Sequence, residues 1–174
     1  VTARAHHGSW VSAKGCGKRD YPASINYHSP WYEEYSFIED HASRIATVLT
    51  RGKPIVKVGV IHPIESMWLY FGVQEHNGRI QKKLDEEFEK LTSSLLFGTV
   101  DFDFISEALL ENIYGGSIGA RFNVGNMSYS AVVVPGCVTL RNSTVEKLQE
   151  FHKNGGKLIF TGSCPKYIDA KPDE

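Results

Sequence analysis

Cysteine is scarce in this chain of 174 residues, which has only Cys16, Cys137 and Cys164. An odd count without paired spacing argues against a disulfide framework and against a zinc site. An excess of one charge is lacking too. Nineteen Lys and Arg stand against twenty Asp and Glu, for a formal net charge of −1. That balance gives no long-range pull toward nucleic acid or an anionic membrane. No apolar run approaches the roughly 20 residues of a membrane helix, and no signal peptide is visible. There is no glycine-rich turn leading into a helix N-terminus, the arrangement that cradles phosphate. His62-Pro63-Ile64-Glu65 holds no glycine, and Gly115-Gly116-Ser117-Ile118-Gly119 precedes an expected strand. Flavin and NAD are therefore not expected, nor any other cofactor. His6 and His7 are adjacent and no ligand spacing completes them, so no metal is expected either. The chain opens on Val1 rather than methionine, in a segment dense in His, Trp and Arg, which leads us to expect a fragment or a processed product.

What is present is 41% hydrophobic and 22% charged, enough for one ordinary domain with a real core and an appendage. The most informative stretch is residues 129–165. Ala131, Val132, Val133 and Val134 form a short apolar, β-branched run, the mark of a strand buried on both faces. Pro135 and Gly136 stop it. Ser143 or Thr144 offers an N-cap to a helix whose Val145, Leu148 and Phe151 share one face. Gly155 and Gly156 end that helix, and residues 158–161 make a second buried strand. Strand, helix and strand of this length predict a right-handed βαβ unit with parallel strands.

Upstream, residues 31–51 predict an amphipathic helix with Tyr35, Ile38, Ala42, Ile45, Val48 and Leu49 on one face, between Pro30 and Gly52. Residues 55–61 predict the first strand, and Ser66 caps a short helix. Residues 74–78 read as a polar loop before a long helix at 79–96, with Ile80, Leu84, Phe88, Leu91 and Leu95 inward. Residues 100–104 predict a half-exposed strand and 106–112 one or two helical turns. A hairpin turns at Asn123-Val124-Gly125-Asn126, and residues 166–174 read as a polar tail. This alternation predicts an α/β fold: a three-layer α/β/α arrangement around a mainly parallel, flavodoxin-like sheet. We divide the chain into an extended segment or part of a preceding domain at 1–30, a connecting helix at 31–52 and the flavodoxin-like domain at 53–174.

Ligands of such sheets sit beyond the carboxyl ends of the strands. The candidates there are His62, Glu65, Asp103, Glu107, Cys137 and Cys164. Cys137 stands where a nucleophile elbow would, as in class I glutamine amidotransferases, but Thr139 replaces the second glycine of that elbow and no His-x-Glu pair follows. An ordinary half-buried thiol is the expected role of Cys137, with an amidotransferase-like enzyme as the alternative. Asp101 and Asp103 read as a solvated strand face rather than paired catalytic acids. Clustered Trp, Tyr, His, Lys and Arg in residues 1–32 suit stacking on sugar faces, or burial in a larger protein.

Several of these segments together resemble a known family. They are Gly15-Cys16-Gly17-Lys18-Arg19-Asp20-Tyr21-Pro22, Ser29-Pro30-Trp31-Tyr32, Asp40-His41-Ala42-Ser43-Arg44 and the run Val60-Ile61-His62-Pro63-Ile64-Glu65-Ser66-Met67-Trp68. They resemble the back half of large bacterial glycoside hydrolases of the α-L-rhamnosidase type, in which a TIM barrel precedes a flavodoxin-like domain related to the amidotransferase fold. The resemblance implies that residues 1–30 are a remnant of the barrel and that the catalytic acids lie outside this chain, which would then hydrolyse nothing alone. It implies substrate-binding roles for His6, His7, Trp10, Lys18, Arg19, Trp31, Glu65 and Trp68. The partners it implies are carbohydrate and the missing barrel, with oligomer contacts as a further role. A stand-alone sugar-binding module is the other alternative.

Overall fold

The structure, a computed structural model, describes residues 30–172. It divides into two units, Val1–Pro54 and Ile55–Glu174. In the first, residues 30–34 form turns and lead into helix α1, Tyr35–Leu49. The helix is thus shorter at both ends than its periodicity predicts. None of its residues is buried, and Ile38, Ile45, Val48 and Leu49, the expected inward face, are all exposed.

The second unit is built on strands β1 (Val58–Ile61), β2 (Phe102–Ile105), β6 (Ala131–Val134) and β8 (Lys157–Phe160), all parallel, in the order β2-β1-β6-β8. This is the order of the first four strands of a flavodoxin-like sheet. Among the described residues no further strand pairs with the outer edge of β8, and Ile159 and Phe160 remain about half exposed there. The apolar centre of β1 and β6 is expressed directly: Val60, Ile61, Val132, Val133 and Val134 are all buried. β-Branched side chains suit a sheet covered on both faces.

Helices α2 (Ile64–Leu69), α3 (Gln74–Phe97), α4 (Glu107–Ile113) and α5 (Asn142–Lys153) flank this sheet, giving the three-layer α/β/α arrangement. On one face Phe88 of α3 packs with His62 and Phe104, ring centroids 5.4 and 5.5 Å away. On the other, Ile61, Ile105, Val132 and Val134 join Leu110 of α4 and Leu148 and Phe151 of α5 in one core. The ring of Tyr129 lies over Gly59, where an added Cβ would come within 3.2 Å of it and within 2.5 Å of Ile105 Cδ1. A side chain at position 59 would therefore have to displace the core.

Two small sheets complete the unit, the first wholly antiparallel and the second mixed, with one parallel pairing. β3 (Tyr114–Ser117), β4 (Phe122–Val124) and β5 (Met127–Tyr129) form one sheet, whereas the sequence shows only its last hairpin. Residues 118–121 make the tight turn between β3 and β4, and the glycines at 115 and 116 lie within β3 instead of before a strand. β7 (Thr139–Leu140), β9 (Tyr167–Ile168) and β10 (Lys171–Pro172) form the other. The expected polar tail is thus a hairpin, folded back so that Tyr167 and Lys166 donate backbone hydrogen bonds to Val138 O.

Three further local expectations are corrected. The segment 74–78 is the first turn of α3, because Val73, in extended conformation, starts the helix there. Ser66 does not cap α2; it is buried inside it. Ser143 and Thr144 do not cap α5, whose N-cap position is Arg141 with no side-chain cap of its own.

Candidate functional site

β1 turns toward β2 on one side while the chain later returns to β6 on the other, so β1 and β6 flank the point where strand order reverses. An open crevice forms at the carboxyl ends of strands at such a point. Here it has a volume of about 660 Å3 and is walled by Glu65, Trp68 and Leu69 of α2, Glu111 of α4, Thr139 of β7, Arg141, Asn142 and Ser143 at the start of α5, and Asp169 and Ala170 of the β9–β10 turn.

Local chemistry fixes each wall. Ser66 anchors α2: its Oγ accepts the backbone N–H groups of Val138 (2.9 Å) and Thr139 (3.2 Å) and donates to Thr139 O (3.2 Å). That holds Glu65 and Trp68 toward the crevice, with the Trp68 side chain 59% exposed. Arg141 Nε donates to Glu65 Oε1 at 2.6 Å, a charge-assisted bond that joins α2 to α5. This pairing also raises the Arg141 pKa, so the guanidinium stays charged. The absent side-chain cap of α5 is replaced from outside the helix. Asp169 Oδ1 accepts the Asn142 N–H at 3.0 Å, and Glu107 Oε2 accepts the Arg141 N–H at 2.9 Å. Two carboxylates at a helix N-terminus satisfy orphan donors and complement the dipole.

Glu107 is only 2% exposed. Burial raises its pKa, with the Glu65 charge adding to the rise, while the Arg141 N–H, the Thr144 hydroxyl and the Arg141 charge oppose it. The Thr144 hydroxyl is close enough to exert that effect, yet neither Glu107 Oε1 nor Thr144 Oγ1 makes a well-formed hydrogen bond. Cys137 is 3% exposed and its thiol is pushed up to about 12, first by burial and then by the charges of Glu107 and Cys164. A thiol so placed is not a nucleophile at neutral pH, which counts against the amidotransferase-like alternative. Cys164 is exposed.

The remaining sequence candidates are dispersed. His62 is packed between Phe88 and Phe104 and is not on the crevice wall. Asp103 accepts the Tyr129 hydroxyl at 2.9 Å and is half buried, so it is not the solvated residue of the expected strand face, while Asp101 lies before β2. Of the predicted sugar-binding residues, Glu65 and Trp68 stand together. Trp31 belongs to the first unit, 45% exposed, its ring 6.2 Å from that of Tyr35. His6, His7, Trp10, Lys18 and Arg19 lie outside the described residues. No group of three or more metal-ligating side chains occurs among the described residues, and no helix there is long and apolar enough to cross a membrane.

Sequence reasoning missed Arg141, Asn142, Glu111 and Asp169. Arg141 carried a signal, since it directly precedes an expected helix. Asp169 carried almost none, because a turn at Asp-Ala lacks the Asn-Gly or Asp-Gly pattern of a two-residue hairpin. Comparison with known proteins returns no match: no family profile fits the chain, and no curated protein and no solved structure is similar enough to count as a relative.

Proposed function

We propose that this chain is a non-catalytic accessory domain of a glycoside hydrolase of the α-L-rhamnosidase type, supporting the barrel and supplying part of a sugar-binding rim. The observation that carries the reading is the crevice at the β1/β6 reversal, where the exposed Trp68 indole stands beside the Glu65–Arg141 pair. An aromatic face with carboxylate acceptors and guanidinium donors is the chemistry that holds a sugar: the ring stacks on its C–H face and the polar groups take its hydroxyls. The acidic residues nearby are poorly suited to glycoside hydrolysis, which needs two positioned acids. Glu65 is committed to Arg141, and Glu107 is buried against the start of α5. The uncovered apolar side chains of α1 suit a helix that lies against further protein, as the barrel would provide.

The test is a calorimetric titration of the purified chain with methyl α-L-rhamnoside and methyl β-D-galactoside, alongside assays on the matching aryl glycosides. Saturable binding weakened about tenfold or more by Trp68→Ala, with no hydrolysis above buffer, is the expected result. Turnover of either aryl glycoside, or no binding of either sugar, overturns the reading.

A further inference from the structure

We infer that the crevice selects an uncharged sugar ring and rejects the corresponding uronate. The inference rests on the sugar-binding reading of the same crevice and adds its charge specificity. Its wall carries three carboxylates, Glu65, Glu111 and Asp169, against one guanidinium, Arg141. Arg141 is the group that would otherwise capture a sugar carboxylate, since its planar fork matches that geometry. Here its Nε is held by Glu65 at 2.6 Å, with the two side chains only 32% and 17% exposed, so a sugar carboxylate would meet only the Nη groups of a cation whose charge Glu65 already offsets. Taking the guanidinium from Glu65 would leave a partly buried carboxylate unpaired, which costs more than an exposed contact returns. The rest of the wall is rich in acceptors. Asp169 uses Oδ1 on the Asn142 N–H, which leaves Oδ2 for a ligand, and Glu111 is exposed. Acceptors beside an open indole face suit a ligand that brings hydroxyl donors and a C–H face. A uronate would bring a further negative charge to a wall that is already negative.

The experiment compares methyl β-D-galactoside with methyl β-D-galacturonoside, and the α-L-rhamnoside as a second neutral ligand, by titration at pH 7 in low salt. The neutral glycosides are expected to bind at least about tenfold more tightly than the uronoside, with the gap shrinking in 0.5 M NaCl as screening sets in. Glu65→Gln frees Arg141 and removes one negative charge, so it should raise uronoside binding relative to galactoside by about tenfold. Glu111→Gln, at an exposed position, should shift the ratio in the same direction by a smaller factor and does not depend on the α2–α5 link. A uronoside that binds as tightly as the galactoside, or a ratio unmoved by both variants, overturns the inference while leaving sugar binding intact. Failure of all three ligands to bind overturns the underlying reading instead.

Discussion

Cys137 and Glu107 are both buried, and each leaves a signature that can be read residue by residue. Cys137 and Cys164 follow the neighbouring parallel strands β6 and β8 but differ in exposure, and the Cys137 thiol is pushed up to about 12. Iodoacetamide at pH 8 should therefore modify Cys164 in the native protein and Cys137 only after unfolding, as read by peptide mass mapping. Prior labelling of Cys137 would restore the amidotransferase-like alternative. Glu107 gives a pH signature. Its pKa is raised by burial, so the folded state binds a proton more tightly than the unfolded state. Its contribution is complete below the ordinary carboxylate range and is lost as pH rises through the raised folded value. Glu107→Gln keeps an acceptor for the Arg141 N–H without the charge. Denaturant titrations at several pH values should show the wild type losing stability relative to this variant as pH rises, and parallel profiles would contradict the assignment.

The recurring device among the elements is the borrowed cap. α5 begins without a side-chain cap, and the β9–β10 turn supplies one through Asp169. Asp169→Ala should cost about 1 kcal/mol in thermal or denaturant unfolding, the usual loss when a helix N-cap is removed. The neighbouring Ala170 sits at φ +61°, a conformation costly for any residue with a Cβ. Ala170→Gly should add about 1 kcal/mol by the same measurement, whereas a loss of stability would mean that the turn is not left-handed there. These features also show where the sequence was legible. Apolar β-branched runs marked β1 and β6 and a periodic apolar stripe marked α5, because burial there overrides local detail; α3 was legible from the length of its pattern alone, since none of its described residues is buried and Ile80, expected inward, is exposed. Helix starts were misplaced: Ser66, Ser143 and Thr144 are good capping residues, but Ser66 is used instead to bind the backbone of Val138 and Thr139, and α5 takes its partners from the start of α4 and from the β9–β10 turn. Such long-range hydrogen bonds leave no mark in local spacing. The same blindness hid the hairpin in residues 167–172 and with it Asp169 on the crevice wall.

For the whole molecule, parallel strands alternating with helices were readable, and so was the crevice position, since strand-end chemistry follows from the topology. The crevice wall itself was not, because it is assembled from four separated parts of the chain. Every residue of the buried core cluster, from Ile61 to Phe151, falls within the unit Ile55–Glu174. A chain beginning at Ile55 should therefore fold on its own, with a single cooperative unfolding transition and a circular dichroism spectrum of mixed α/β type. A polypeptide that stays unfolded would show that the first unit is part of the core.

The most direct test of the sugar-binding, non-catalytic account follows the indole N–H resonance of Trp68 in a nitrogen–proton correlation spectrum, assigned by its disappearance in Trp68→Phe, as a neutral methyl glycoside is added. The account predicts a saturable shift of that resonance with the glycoside recovered intact. A resonance that does not move with either methyl α-L-rhamnoside or methyl β-D-galactoside, or one that moves while the sugar is released from its aglycone, contradicts it.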